Sequence, residues 1–371
     1  GVEDDRRFVA ARQANLAGTG IGSFSDRIRD PVRGGGPFDG GNIHVRNQGY
    51  ISGWFYDPNA EPTYNFTFPG DSTSTTITKG SPDDRRALTT DSDNIRVWLA
   101  GGLAGYRFTD ATGATVSGAD VDYRGQQSGY TADPQEAINY VSKHDNQTLW
   151  DISVYKHPAG TPTAERVRAQ NVGLSVVLLG QGIPFLHAGS DILRSKSGDR
   201  DSYDSGDWFN ELDWTLMGTK WGKGLPIADK NQGEWPILTN KYLDVTTTPM
   251  PADQSRAFEH VQEMLQIRKS SPLFRLRTQA QIDQRVAFFN TGPFQVPGVV
   301  AMRIDGCTEP GFQPGEGALM VVFNASDDDR TLNLFGSETW SLHPVLASST
   351  DPVVQSARHD ARGFFVPART T

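Results

Sequence analysis

Tyr140-Val141-Ser142-Lys143-His144-Asp145-Asn146-Gln147-Thr148-Leu149-Trp150-Asp151 is the stretch on which the rest of the chain turns. It overlaps a short run, residues 137–142, whose β-branched Ile138 and Val141 suit a buried strand. Without any linker that run gives way to a histidine, two aspartates, an asparagine and a tryptophan. In a parallel α/β barrel the side chains at the C-terminal ends of strands face the pocket, so a strand that ends in such residues predicts a barrel with chemistry at its rim. A polar strand exit or a helix cap would need the same residue types, and His144 with Asp145 alone does not separate the readings.

Working outward, the helix expected over residues 164–179 is apolar on nearly every side in its last turns (Val172, Leu174, Val176, Val177, Leu178, Leu179), which predicts packing on more than one face. Gly180 and Gly182 end it, and residues 183–186 form the next strand. Strand, helix, strand is a βαβ unit, with parallel pairing. Upstream, a helical spacing over residues 6–16 precedes a strand at 20–24, and residues 82–106 are expected to be helical. Residues 29–80 and 105–130 show turn punctuation and no period, and are expected to be loops. Asp253 is expected to cap a helix over 255–269, halted by Pro272. Beyond it, short apolar runs at 285–289, 299–304, 319–323, 331–334, 340–346 and 363–366, parted by Gly, Pro, Asp and Ser, predict an antiparallel sandwich.

The chain therefore divides, on this reading, into residues 1–272, the C-terminal part of a (β/α)8 TIM barrel with three or so of its strands, and residues 273–371, an antiparallel β-sandwich cut at its last strand. Its 371 residues, with 39 glycines and 22 prolines, suit a loop-rich globular protein of two domains. A net charge of -9 argues against nucleic acid as a partner. Cys307 is the one cysteine, which excludes an intrachain disulfide and leaves the compartment open. No apolar run is long enough for a membrane span. Gly18-Thr19-Gly20-Ile21-Gly22 precedes a strand where a nucleotide-binding loop would follow one, and is rejected as such.

Three long collinear stretches carry a resemblance. They are residues 140–151, residues 182–197 continuing through Ser202-Tyr203-Asp204-Ser205-Gly206-Asp207-Trp208-Phe209-Asn210, and residues 17–27 with Arg29-Asp30 and Arg33-Gly34-Gly35 after them. Together they resemble pullulanase-type α-1,6-glucosidases, the debranching branch of glycoside hydrolase family 13. The resemblance implies hydrolysis of α-1,6 bonds in an α-glucan such as pullulan, amylopectin or limit dextrin, with retention. It makes Asp145 the transition-state-stabilising carboxylate, with His144 beside it. Asn146, Trp150, Asp207, Tyr203, Trp208 and Asn210 become candidate substrate-binding residues. It also implies that the nucleophile and the general acid lie on strands before residue 1, in a missing N-terminal part of the same enzyme, so that this chain alone is expected to be inactive.

One departure stands out: the family commonly has an arginine after that asparagine, and this chain has Glu211, which cannot make a guanidinium's contacts. No cofactor is required. His187, near Asp191, lacks a third metal ligand and reads as structural; Asp327-Asp328-Asp329 reads as a charged turn, with a structural calcium ion conceivable but not indicated. Two alternatives stay open, a non-catalytic α-glucan-binding fragment and an α-1,4-acting amylase of the same clan.

Overall fold

The computed structural model describes residues 12–306, 317–334 and 339–371. Cys307 and most of the helix expected over 6–16 lie outside them; within them that segment ends as a 3-10 turn, Gln13–Leu16.

Three short strands, Ser23–Phe24, Ala137–Asn139 and Ile183–Pro184, form a parallel sheet with Ala137–Asn139 in the middle. Ser23 pairs with Ala137, Phe24 with Ile138, Ile138 with Ile183 and Asn139 with Pro184. The expected strand, helix, strand order is present, with the helix Thr163–Leu179 between the second and third strands. The strands are shorter than the apolar runs suggested.

Buried polar side chains hold the return from helix to strand. Arg268 donates to the carbonyls of Leu178 (2.9 Å), Gly180 (2.7 Å) and Gly182 (2.8 Å), which the end of the helix would otherwise leave unpaired. Asn139 donates to Trp98 O (3.2 Å) and Gln181 O (2.9 Å). Gly182 has φ 89°, and a Cβ there would lie 3.0 Å from the carbonyl oxygens of Ala137 and Pro134, so only glycine fits. Inside the helix, a Cβ on Gly173 would meet Ile51 Cδ1 at 3.0 Å; the missing side chain lets the helix approach that wall of the core. The helix Pro251–Ser270 packs along Thr163–Leu179.

Several sequence expectations are corrected. The helix expected over 82–106 is Pro82–Leu99, capped by Ser81 and ended by Gly101 and Gly102, both at positive φ. Residues 105–130 contain two hairpins, Arg107–Thr109 with Thr115–Ser117 and Asp122–Tyr123 with Gln126–Gln127. Residues 29–80 contain the rest of a Ser25-capped helix, Asp26–Arg33, and a hairpin, Thr63–Phe66 with Thr75–Thr78. Asp253 is not the cap residue but stands in the first turn, accepting from Met250 N at 2.8 Å.

Beyond Pro272, a helix Gln279–Arg285 that the sequence did not suggest leads into two three-stranded antiparallel sheets. The first contains Val286–Phe289, Val299–Ile304 and Leu319–Asn324; the second contains Arg330–Leu332, Gly363–Val366 and Arg358–Asp360. Alternation along the first sheet divides its side chains. Val300, Met302, Ile304, Val321 and Phe323 join the core that contains Ile28, Trp98 and Val176, while Val299, Ala301 and Val322 join Leu332, Phe364 and Val366 of the second. The expected strand at 340–346 is absent: Pro344 opens a helical turn, Pro344–Ala347, capped by His343. In the run 327–329, Asp328 pairs with Arg330 and Asp329 accepts from Ala368 N, as a charged turn would.

One apolar cluster thus includes residues on both sides of Pro272. Hydrogen bonds cross with it, from Tyr50 Oη to Phe323 O (2.7 Å) and from Tyr106 Oη to Val286 O (2.9 Å). Among the described residues no helix is long and apolar enough to cross a membrane.

Arg268→Ala would leave three carbonyls without their donor and is expected to cost about 3 kcal/mol of stability. Denaturant unfolding measures it directly; an unchanged midpoint would show that water or a neighbour replaces the guanidinium.

Candidate active site

Where the middle strand ends, the chain is first anchored and then released to solvent. Tyr140 and Val141 are buried, and Tyr140 Oη donates to Asp26 Oδ1 while accepting from Arg29 Nη1 (3.2 Å), which ties the exits of the first two strands together. Ser142 Oγ lies 3.4 Å from His187 Nδ1. Arg194 Nη1 is 3.0 Å from His187 Nε2, and a guanidinium can only donate, so Nε2 accepts and Nδ1 carries the proton toward Ser142. Burial, with the charge of Arg194 added, holds His187 in this neutral form, its pKa lowered to about 3. It is a hydrogen-bonded structural histidine. Among the described residues no three His, Cys, Asp or Glu side chains are placed to hold a metal ion.

The next residues turn outward. The His144 side chain is 84% exposed and that of Asp145 is 53% exposed, with His144 Nδ1 3.1 Å from Asp145 Oδ1. The Lys143 ammonium touches the other oxygen, Oδ2. That hydrogen bond, reinforced by the charges of Lys143, His144 and Lys196, holds the Asp145 carboxyl below the ordinary carboxylate range. Asp145 is therefore a carboxylate at neutral pH, presented at the rim with a donor on each side. Asn146 adopts a left-handed backbone (φ 63°) that asparagine tolerates, and its Nδ2 donates to Pro37 O at 2.9 Å. This brings Phe38, 93% exposed, alongside the same face. Sequence reasoning passed over Phe38; its only signal was an aromatic residue set in a Gly-Pro-Asp-Gly turn, where no core could take it.

Two buried ionic groups set the position of this face. Thr148 caps the helix Leu149–Lys156, and Asp151 in its first turn is fully buried. Asp151 accepts from Ser195 Oγ (2.5 Å), Lys196 N (2.9 Å) and Gly198 N (3.1 Å). Lys196, also fully buried, donates to His144 O and Ser202 Oγ, each at 3.0 Å. Burial pulls its ammonium down to about 8 and pushes the Asp151 carboxyl up, with each group's hydrogen bonds or charge partner opposing the shift. Nothing in the sequence distinguishes this lysine from an exposed one. Through it the 140–151 segment and the loop carrying residues 202–210 become one surface.

The remaining expected site residues fall into two groups. Tyr203 (81% exposed), Asp207 and Trp208 (39% exposed) lie at the surface, Trp208 edge-on to Phe209 with Lys220 Nζ 4.8 Å above its ring. Glu211 contacts the Lys220 ammonium, so the residue that replaces the family's arginine holds a neighbouring cation over Trp208. One expectation is corrected. Trp150 is fully buried among Ile152, Val154, Leu193, Trp221 and Leu238, where it fills the core and cannot stack on a ligand. Asn210 is exposed and also hydrogen-bonds within the loop, with Nδ2 donating to Ser202 O (2.9 Å) and Oδ1 accepting from Ser202 Oγ (3.2 Å), so it braces the surface.

Comparison with known proteins gives the chain's relatives. Residues 217–371 match the family described as alpha-1,6-glucosidases, pullulanase-type, C-terminal. The chain is 42% identical over 341 residues to a pullulanase of Klebsiella pneumoniae, a match covering 91% of this chain and 29% of that protein. It is 39% identical over 381 residues to pullulanase 1, chloroplastic, of Arabidopsis thaliana, covering 100% of this chain and 37% of the relative. The crystal structure of apo pullulanase from Klebsiella pneumoniae superposes with a TM-score of 0.89 at 39% identity, over 100% of this chain and 38% of that one. The chain thus spans roughly a third of the length of the proteins it matches. It corresponds to the C-terminal portion of pullulanases, and its residues 217–371 match the C-terminal family of the pullulanase-type alpha-1,6-glucosidases.

Proposed function

We propose that this chain supplies the transition-state-stabilising side of an active site that hydrolyses α-1,6-glucosidic bonds in α-glucans such as pullulan, amylopectin and limit dextrin. The observation that carries the reading is the outward-facing Asp145–His144 pair at the exit of the middle parallel strand, braced from behind by Lys196. Cleavage of a glycosidic bond passes through an oxocarbenium-like state, and a fixed carboxylate lowers its energy by an electrostatic term that a closed, substrate-filled pocket screens poorly. Lys143 keeps Asp145 charged for that role, and His144 is placed to donate to a sugar hydroxyl. Asp207, Tyr203, Trp208 and Phe38 would line the outer part of the cleft, with Asn146 positioning the Phe38 loop.

In this reading the three parallel strands are later strands of a (β/α)8 barrel, residues 1–272, and the two antiparallel sheets form a sandwich over 273–371. Support comes from the apolar side chains beside the short sheet: Ile21 is 57% exposed, Phe24 45%, Ile183 44% and Phe185 43%, a set that further strands would cover. The two reacting carboxyl groups would stand on such strands, and the loss-free retaining reaction needs both.

The deciding assay measures reducing ends released from pullulan and from amylose by the full-length protein. Release from pullulan alone is expected; release mainly from amylose would favour an α-1,4-acting enzyme. The 371-residue chain by itself is expected to bind glucan and release nothing, and robust activity from it would overturn the assignment of Asp145. In the full-length protein, Asp145→Asn is expected to lower kcat by about 100-fold or more, because it keeps the size and removes the charge. A loss of only a fewfold would exclude the role. Lys143→Met is expected to move the Asp145 carboxyl titration, followed by carbon NMR, up toward the ordinary range; no movement would mean that Lys143 does not hold it.

A further inference from the structure

The turn that carries Asp207 has little of its own to hold it. Asp207–Asn210 is a single helical turn, too short to be stable alone, and Gly206 before it offers no side chain as a cap. Of its residues Phe209 is buried, while Asp207, Trp208 and Asn210 are exposed. Its last residue is nonetheless tied to the parallel sheet. Arg194 Nη2 forks between Asn210 O (3.3 Å) and Asn210 Oδ1 (3.4 Å), and Nη1 donates to Ala188 O and to His187 Nε2, each at 3.0 Å. One guanidinium thus spans from the turn to the residues that follow the third strand, and through His187 to Ser142 at the exit of the middle strand.

The backbone around Arg194 is shaped to place it. Arg194 N donates to Gly189 O at 2.9 Å, closing a tight turn around Ser190–Ile192. Leu193 stands at φ 57°, a region that few side chains other than glycine adopt, and it is fully buried. With Leu193 in the core, Arg194 comes out half-buried at the boundary. Gly189 has φ 86°, and a Cβ there would lie 2.6 Å from Leu212 Cδ2 and 2.9 Å from Arg194 Cβ. Glycine therefore lets the stem of Arg194 and Leu212, just past the turn, pack against the same backbone.

Lys196 bridges the same two segments elsewhere, from His144 O to Ser202 Oγ. It fixes the start of the 202–210 loop, and Arg194 fixes the end, where Asp207 stands. We propose that Arg194 is a positioning residue for glucan binding, which sets the Asp207 turn relative to the Asp145 face by bridging His187 to Asn210. This rests on the cleft reading given above, in which Asp207 lines the outer part. Asp145 keeps its own anchors, Lys143 and, through His144, Lys196, so loss of Arg194 displaces the Asp207 side and leaves the Asp145 side in place. Binding weakens and the chemical step is spared.

The test is steady-state hydrolysis of pullulan by the full-length protein carrying Arg194→Met, Asp207→Ala or both. Arg194→Met keeps most of the apolar stem and removes the donors; KM is expected to rise about tenfold, with kcat within about twofold of the parent. A merely structural loss would lower the active fraction, and hence kcat, with KM unchanged. Because Arg194 acts through the turn, its effect on KM should shrink to about twofold or less once Asp207 is gone. Arg194→Lys keeps the charge, but an ammonium does not reproduce the planar fork, so KM should rise there as well; this milder variant takes the place of Arg194→Met if that one fails to fold. An unchanged KM in the folded Arg194 variants, a loss confined to kcat, or a rise in KM that persists undiminished in the Asp207→Ala background overturns the proposal. Hydrolysis insensitive to Asp145→Asn, with the coupling between Arg194 and Asp207 present, would sink the active-site reading and leave this one standing.

Discussion

The arrangement depends on a carboxylate and an ammonium that are both buried, Asp151 and Lys196. Taking either out of water alone would be prohibitive; each is tolerated because it is met by hydrogen bonds, Asp151 by a hydroxyl and two backbone amides, Lys196 by a carbonyl and a hydroxyl. Breaking such a set typically costs roughly 3–5 kcal/mol, because the partner stays behind uncompensated. That penalty makes the geometry rigid. The His144 carbonyl cannot leave Lys196 cheaply, so the exposed pair that follows it is held to one place without being buried itself.

The same logic operates at the sheet. Strands of two or three residues make few ladder hydrogen bonds, and their alignment comes instead from side chains that reach backbone carbonyls, Arg268 and Asn139 above all. Packing completes the work. The first antiparallel sheet faces two ways, and its inward residues share a core with the helices that flank the parallel strands. Residues beyond Pro272 are therefore part of what supports the site's scaffold.

What was legible in the sequence had a period or a motif behind it. The helix Thr163–Leu179 and the strands around it announced themselves through apolar continuity and flanking glycines, and His144 and Asp145 through their place after a strand. The hairpins within residues 63–78 and 105–130 did not, because strands of two to four residues carry too little alternation to rise above turn chemistry. Trp340 and its neighbours looked like a strand until Pro344 began a helical turn. Trp150 illustrates a different limit: residue type suggests what a side chain can bind, but burial decides whether it is free to do so. Lys196 is the converse, a lysine whose importance comes wholly from where the fold puts it.

Glu211 contacts the Lys220 ammonium, which lies over Trp208, so the position after Asn210 has a cation beside it. Whether the face so built receives sugar at Asp145 is decided most directly by a crystal structure of the full-length protein soaked with maltotriose. The account predicts a glucose ring with hydroxyls within hydrogen-bond distance of the Asp145 carboxylate and the His144 imidazole. Bound rings that leave both side chains untouched would contradict it.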